Sequence, residues 1–209
     1  KLGELGIRDN TLLLFIGDNG THSSITSRFR GGDYQGGKGS TTERGTHVPF
    51  IASWPGVMKQ GRVSQDLISS VDFFPSLCAA AGVTAPGNLD GVSFLPPLRG
   101  ETGTPREWLY TWYSPRQQAD LTVRECAFDH SFKLYRDGTF FDLQADPFEK
   151  QKLSIASLPE PAAQAAAKLQ RVLDQFANAR PAELDEAFKK SAPAAKPGGQ
   201  KKAKKKAKS

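Results

Sequence analysis

The residues Thr11-Leu12-Leu13-Leu14-Phe15-Ile16 form a continuous apolar run bounded by Asp9-Asn10 and Gly17. Such a run predicts a strand buried on both faces, as in the parallel sheet of an α/β protein. A second strand is predicted at Val48-Pro49-Phe50-Ile51-Ala52-Ser53-Trp54, ended by Pro55-Gly56. Between them, residues 20–47 carry seven glycines and several Ser and Thr, which predicts a long irregular loop. Long ordered loops in compact domains are usually functional.

Ligands of open α/β sheets gather at the carboxyl ends of strands. The first run ends in Gly17-Asp18-Asn19-Gly20. Adjacent side chains of a continuing strand point to opposite faces, so Asp18 and Asn19 can share a ligand only if the chain has turned. The flanking glycines allow that turn. A carboxylate and an amide carbonyl suit a hard cation such as Ca²⁺ or Mg²⁺, though two donors fall short of the about six to eight oxygens that Ca²⁺ takes. The same residues also suit an ordinary strand-end turn.

Lys38 lies in Gly36-Gly37-Lys38-Gly39. The stretch from Gly32 nearly matches a nucleotide-binding P-loop, but Gly39 stands where Ser or Thr must hold Mg²⁺, and Gly45 and Pro49 break the helix that should follow. The remaining readings are an ammonium holding an oxyanion on a closely approaching backbone, or a solvated lysine. His22 and His47 stand at the two ends of the loop as candidate proton donors or oxyanion contacts. A lone loop histidine is more often structural, and His47 reads that way.

Residues 1–9 read as the end of a helix with Leu2, Leu5 and Ile7 on one side. Leu67 to Val71 reads as a short extended segment. Asp72 is placed to N-cap a helix running to about Ala81, with Gly82 at its C-terminal stop. Residues 83–107 are Pro- and Gly-rich connection. Short aromatic strands follow at 108–113, 125–128, 132–136 and 139–143, and Asp137-Gly138 marks a hairpin between the last two. A helix over 160–177 carries Leu169, Val172, Leu173 and Phe176 as a core-facing stripe. The domain reading is 1–107, 108–180, and a short helix with a disordered Lys-rich tail over 181–209.

The net charge of +6 belongs to that tail. Residues 189–209 hold nine Lys and no acid, and the remainder has 19 basic and 22 acidic residues, a net charge of −3. A basic nucleic-acid groove on the body is therefore not expected. No run approaches the about 18–20 apolar residues of a membrane span. Cys78 and Cys126 are too few and too far apart for a zinc site or a disulfide framework. Cys78, in Leu77-Cys78-Ala79-Ala80, reads as a core thiol. The start at Lys1 and the lack of a visible leader suggest a fragment or processed product.

The order of Asp18-Asn19-Gly20, then Gly36-Gly37-Lys38-Gly39-Ser40-Thr41-Thr42-Glu43-Arg44-Gly45, then Ser53-Trp54-Pro55-Gly56 resembles the second half of type I sulfatases, arylsulfatase-like members of the alkaline phosphatase superfamily. Asp72-Phe73-Phe74-Pro75-Ser76-Leu77, Asp90-Gly91-Val92-Ser93 and Phe141-Asp142-Leu143-Gln144-Ala145-Asp146-Pro147-Phe148-Glu149 resemble later segments of that family. The resemblance implies the C-terminal part of an alkaline-phosphatase-like α/β sandwich, then a small antiparallel sheet with a packing helix. It implies that Asp18 and Asn19 ligate Ca²⁺ rather than Mg²⁺. It makes Lys38 a catalytic contact to the substrate sulfate; His22 joins it as a substrate-binding candidate on its place at the end of the loop, not on the resemblance. The family's nucleophile is a formylglycine made from Cys or Ser in Cys/Ser-x-Pro-x-Arg, a motif that these 209 residues do not contain. The resemblance puts it before Lys1, with a further Asp-Asp metal pair, His and Lys, so the chain as written is not expected to turn over. Glu43-Arg44-Gly45 departs from the family's usual Glu-Gly-Gly, which predicts a less free backbone at Arg44.

The implied substrate is a sulfated small molecule or polysaccharide, and the implied location periplasmic or extracellular. Two rivals stand beside this reading. One is a phosphatase or phosphodiesterase of the same superfamily, which needs a richer Asp/His set. The other is a non-catalytic module whose Lys tail docks on an anionic polymer.

Overall fold

A computed structural model describes residues 1–29, 31–113, 124–179 and 186. The 181–209 helix and tail expected from composition lie outside the described residues, apart from Glu186.

The best-packed part lies toward the C-terminus. Strands β5 (Leu109–Tyr113), β6 (Arg124–Phe128), β7 (Phe132–Tyr135) and β8 (Phe140–Asp142) form an antiparallel meander in the order β5-β6-β7-β8. Asp137-Gly138 makes the β7–β8 turn, with Gly138 at φ +83°, a backbone state that glycine adopts without strain. Helix α4 (Ala162–Gln175) lays Leu169, Val172 and Leu173 against Ala127, Leu134 and Phe140 of the sheet. Three alanines, Ala162, Ala165 and Ala166, are buried in the helix's first turns. Phe176 stacks on Tyr110 at 4.1 Å between ring centroids.

Charged pairs rim this core. Lys168 meets Asp129 at 2.6 Å, and Arg136 pairs with Glu125. Burial pushes both carboxyls toward protonation. For Asp129, the Lys168 ammonium and the Ser131 and Phe132 N–H groups outweigh that effect; for Glu125, hydrogen bonds from Arg136 and Tyr110 do. Both acids therefore lie below their ordinary range.

The N-terminal part contains strand β1 (Leu13–Ile16), the hairpin strands β2 (Thr26–Phe29) and β3 (Gly32–Gln35), the one-turn helix α1 (Glu43–Thr46) and strand β4 (Phe50–Ser53). Helices α2 (Phe73–Ala80) and α3 (Leu95–Arg99) follow. The loop over 20–47 is thus more regular than its glycine content predicts. Leu2 and Leu5 lie in turns and Ile7 just before the 3-10 turn Arg8–Asn10, none of them on an α-helix. The connection over 83–107 includes α3, because Pro96 and Pro97 fall at its start, where a missing N–H costs little.

The first strand departs from expectation. β1 pairs antiparallel with β4 in a two-stranded sheet, not with a parallel neighbour. Phe50 packs edge-on against Phe73 and Phe94 at 5.2 and 5.3 Å, which covers one face. Phe15 and Ile51 are register partners on the other face and remain 56% and 58% exposed. The run is apolar enough for burial on both faces, but among the described residues only one face has cover.

Asp72 is also reassigned. Its side chain makes no cap bond to α2. It accepts instead from the Ser69 and Val92 N–H groups, closing a capping box on a preceding 3-10 turn, and pairs with the buried Arg106 guanidinium. The carboxylate thereby ties three segments together. Cys78 is only half-buried, because neighbouring Leu77 and Phe74 on α2 face solvent. The buried thiol is Cys126, which burial pushes up to about 12.

Leu169→Ala is expected to cost about 2–5 kcal/mol, the usual range for emptying a fully buried leucine site, read from urea unfolding. Because Asp129 and Glu125 have depressed carboxyl pKa values, the stability they contribute is complete above the unfolded values of about 4. It should be lost as pH falls from there through their folded values. Unfolding at pH 7 and pH 3 checks the sign, and Asp129→Asn should flatten the slope.

Candidate functional site

Two glycine-rich segments interlock at the end of β1. The chain bends at Asp18 and Asn19 as it leaves the strand. The Gly17 N–H donates to the Pro49 carbonyl at 3.1 Å, the Gly20 N–H to Gly45 at 3.0 Å, and the Lys38 N–H to Thr21 at 2.9 Å. A Cβ on Gly20 would lie 1.9 Å from the Arg44 carbonyl oxygen, and one on Gly37 would lie 2.5 Å from the Arg44 Cβ. Any side chain at either position would force these segments apart. The role of Gly20 is therefore close approach, since its φ is not positive; the left-handed residue is Gly39, at φ +84°.

This interlock brings the backbones of Asn19, Gly20, Thr21, Lys38 and Arg44 together. Asp18 and Lys38 are exposed and Asn19 is half-buried. Exposed His22 accepts from the Ser24 N–H at its Nδ1, 3.2 Å away, with the Ser24 hydroxyl 2.8 Å from the same nitrogen. In a neutral ring that leaves Nε2 carrying the proton as a donor. His47 is exposed, with its Nδ1 3.9 Å from Glu43. Asn19, Arg44 and His47 line a cavity of about 120 Å³. Asp18, His22 and Lys38 do not line it. No group of three or more His, Cys, Asp or Glu able to hold a metal occurs among the described residues.

A buried network under the Lys38 loop escaped the sequence reading. Lys133, on β7, is 1% exposed. Its ammonium donates to the Thr41 carbonyl at 2.6 Å and to Glu149 Oε1 at 2.7 Å. The Tyr135 hydroxyl donates to Glu149 Oε2 at 2.6 Å and lies 2.9 Å from the Thr41 hydroxyl. Lys133 also lies 5.0 Å from the Phe128 ring centroid. Burial and the Glu149 hydrogen bond push the Tyr135 phenol well above its ordinary range, so it stays a donor. Thr41 is thus clamped to the C-terminal sheet three residues beyond Lys38. A lone lysine among the apolar residues of Phe132-Lys133-Leu134-Tyr135 was the available signal.

Residues 1–83 match the family model described as Sulfatase. That segment contains Asp18, Asn19, His22, Lys38 and Arg44. Bovine (Bos taurus) arylsulfatase A is 32% identical over 206 residues, covering 84% of this chain. The chain belongs to the sulfatase family. It spans 40% of the length of that relative. Human (Homo sapiens) N-acetylgalactosamine-6-sulfatase is 31% identical, covering 75% of this chain and 36% of that protein. A solved structure described as a complex with its substrate D-glucosamine-2-N,6-O-disulfate superposes with a TM-score of 0.67 at 24% identity, covering 87% of this chain and 38% of that one. At that identity the likeness establishes the fold, the alkaline-phosphatase-like α/β architecture. The described part of this sulfatase chain has no helix long and apolar enough to cross a membrane.

Lys133→Met is expected to destabilise the chain by about 3–5 kcal/mol, because it strands the buried Glu149 carboxylate. Amide exchange around Thr41 should quicken at the same time. A loss under about 1 kcal/mol with unchanged exchange would refute the clamp.

Proposed function

We propose that this chain is the part of a sulfuric ester hydrolase that steadies the substrate sulfate and supplies two oxygen donors to a metal. The observation that carries the reading is the sulfatase match over residues 1–83, with Asp18, Asn19 and Lys38 on two loops held together by glycine contacts. In this reading the Lys38 ammonium balances charge on the sulfuryl oxygens, where a preorganised cation does most good. His22 offers its Nε2 proton to an ester or sulfate oxygen.

The carboxylate of Asp18 and the amide carbonyl of Asn19 are hard donors that fit Ca²⁺, as two of the about six to eight it takes. The other donors come from elsewhere in the protein in this reading. Bound there, Ca²⁺ would draw charge from the sulfuryl oxygens. The nucleophile, a formylglycine, lies outside these residues. The substrate is a sulfated small molecule or polysaccharide, met in the periplasm or outside the cell. The same fold occurs in a phosphonate monoester hydrolase of Silicibacter pomeroyi, with a TM-score of 0.61 at 23% identity, over 85% of this chain and 37% of that one. Fold alone therefore does not choose between sulfate and phosphonate esters, and the sulfatase relatives favour sulfate.

In the full-length enzyme, Lys38→Ala should lower kcat/KM for phenyl sulfate by about a hundredfold, typical of losing one charge-stabilising contact, with an unchanged circular dichroism spectrum. A near wild-type value would remove Lys38 from the site.

A further inference from the structure

We propose that Arg44, with His47, Tyr34 and Ser27, forms a second oxyanion subsite beside the Lys38 loop, which takes a further sulfate or carboxylate group on the same substrate. The proposal rests on the reading of the chain as part of a sulfate ester hydrolase and specifies its substrate class as polyanionic.

Arg44 sits in α1 with ordinary helical backbone and needs no glycine freedom. Its guanidinium lies 5.1 Å from the Phe148 ring centroid, a contact that fixes the long side chain in place. Its Nε is buried and has no hydrogen-bond partner. Among the described residues no carboxylate lies within ion-pair distance of it. A guanidinium stays charged at every physiological pH, and a buried donor left without an acceptor is costly. Such a group in a native protein calls for a missing partner.

The cavity supplies room for one. At about 120 Å³ it far exceeds the about 10–15 Å³ that one water needs. Arg44, His47, Tyr34 and Ser27 are among its lining residues, and no Asp or Glu is. Burial is the largest influence raising the Tyr34 phenol above its ordinary range, so it remains a donor. A wall of donors with one fixed guanidinium selects an oxyanion, and the planar fork of arginine matches carboxylate or sulfate in a two-point contact.

Location links this cavity to the proposed chemistry. The Arg44 Cβ packs directly against Gly37, the residue before Lys38. A substrate whose ester sulfate meets Lys38 would present a neighbouring anionic substituent to Arg44.

The test compares phenyl sulfate with phenyl sulfates carrying a carboxylate or second sulfate at the ortho, meta or para position, using the full-length enzyme. At least one substituted ester should be preferred, and Arg44→Gly should reduce that preference ratio by about tenfold to a hundredfold, the scale of a charged hydrogen bond. Arg44→Lys should restore part of it. A preference that survives Arg44→Gly, or no preference in the wild type, overturns the subsite. A binding measurement separates this from failure of the sulfatase reading. The Arg44 Nε–H resonance, assigned by its loss in Arg44→Gly, should shift on titration of the full-length enzyme with inorganic sulfate, and should still do so in Lys38→Ala. If no sulfate ester is hydrolysed but the resonance shifts, the enzyme assignment falls and the anion site stands. A resonance that stays in place at saturating sulfate overturns the subsite whatever the activity.

Discussion

The buried ammonium of Lys133 joins the two halves of this molecule. It reaches from the C-terminal sheet to the Thr41 carbonyl, 92 residues earlier in sequence, and is neutralised on the way by Glu149. A charge taken this far out of water is tolerated only when its donors find acceptors and a counter-charge is in contact. Here Glu149 meets both demands, since its second oxygen accepts from Tyr135 while Tyr135 also meets Thr41. Each member lacks a partner if another is removed, so the loop that carries Lys38 is held by the whole group.

Above that clamp, shape and not charge sets the position of the candidate site. Gly20 and Gly37 let three backbone segments cross at distances no side chain would permit. Exposed Lys38 and Asp18 therefore stand on rigid supports, which suits groups that must be aimed before a substrate arrives. Arg44 enters the same crossing and spreads over Phe148, a residue of the segment that also supplies Glu149. One short stretch of the C-terminal part thus steadies the segment from Lys38 to Arg44 at two points.

Much of the fold was legible because its signals are local. The Asp137-Gly138 turn, the α4 stripe and the stop at Gly82 each depend on residues within one or two turns of each other. The Gly-Gly-Lys-Gly and Asp-Asn-Gly motifs pointed to the family on composition and order alone. The local signals failed where cover comes from far away. The apolar run at β1 reads as doubly buried, yet Phe15 faces solvent, because periodicity records what a strand could bury and not what lies against it. Asp72 reads as a helix cap, yet its carboxylate serves Arg106, 34 residues on.

The sequence by itself determined the C-terminal strands, helices α2 and α4, the family motifs and the acidic character of the body, because each is written in neighbouring residue types. The tertiary structure alone decided that Lys133 supports the Lys38 loop, that Gly20 is needed for approach and not for turning, and that Arg44 ends in a cavity lined by donors. Those outcomes rest on contacts between segments far apart in the chain. Such contacts leave no period or spacing in the sequence, and become visible only when burial brings a charge and its partner together.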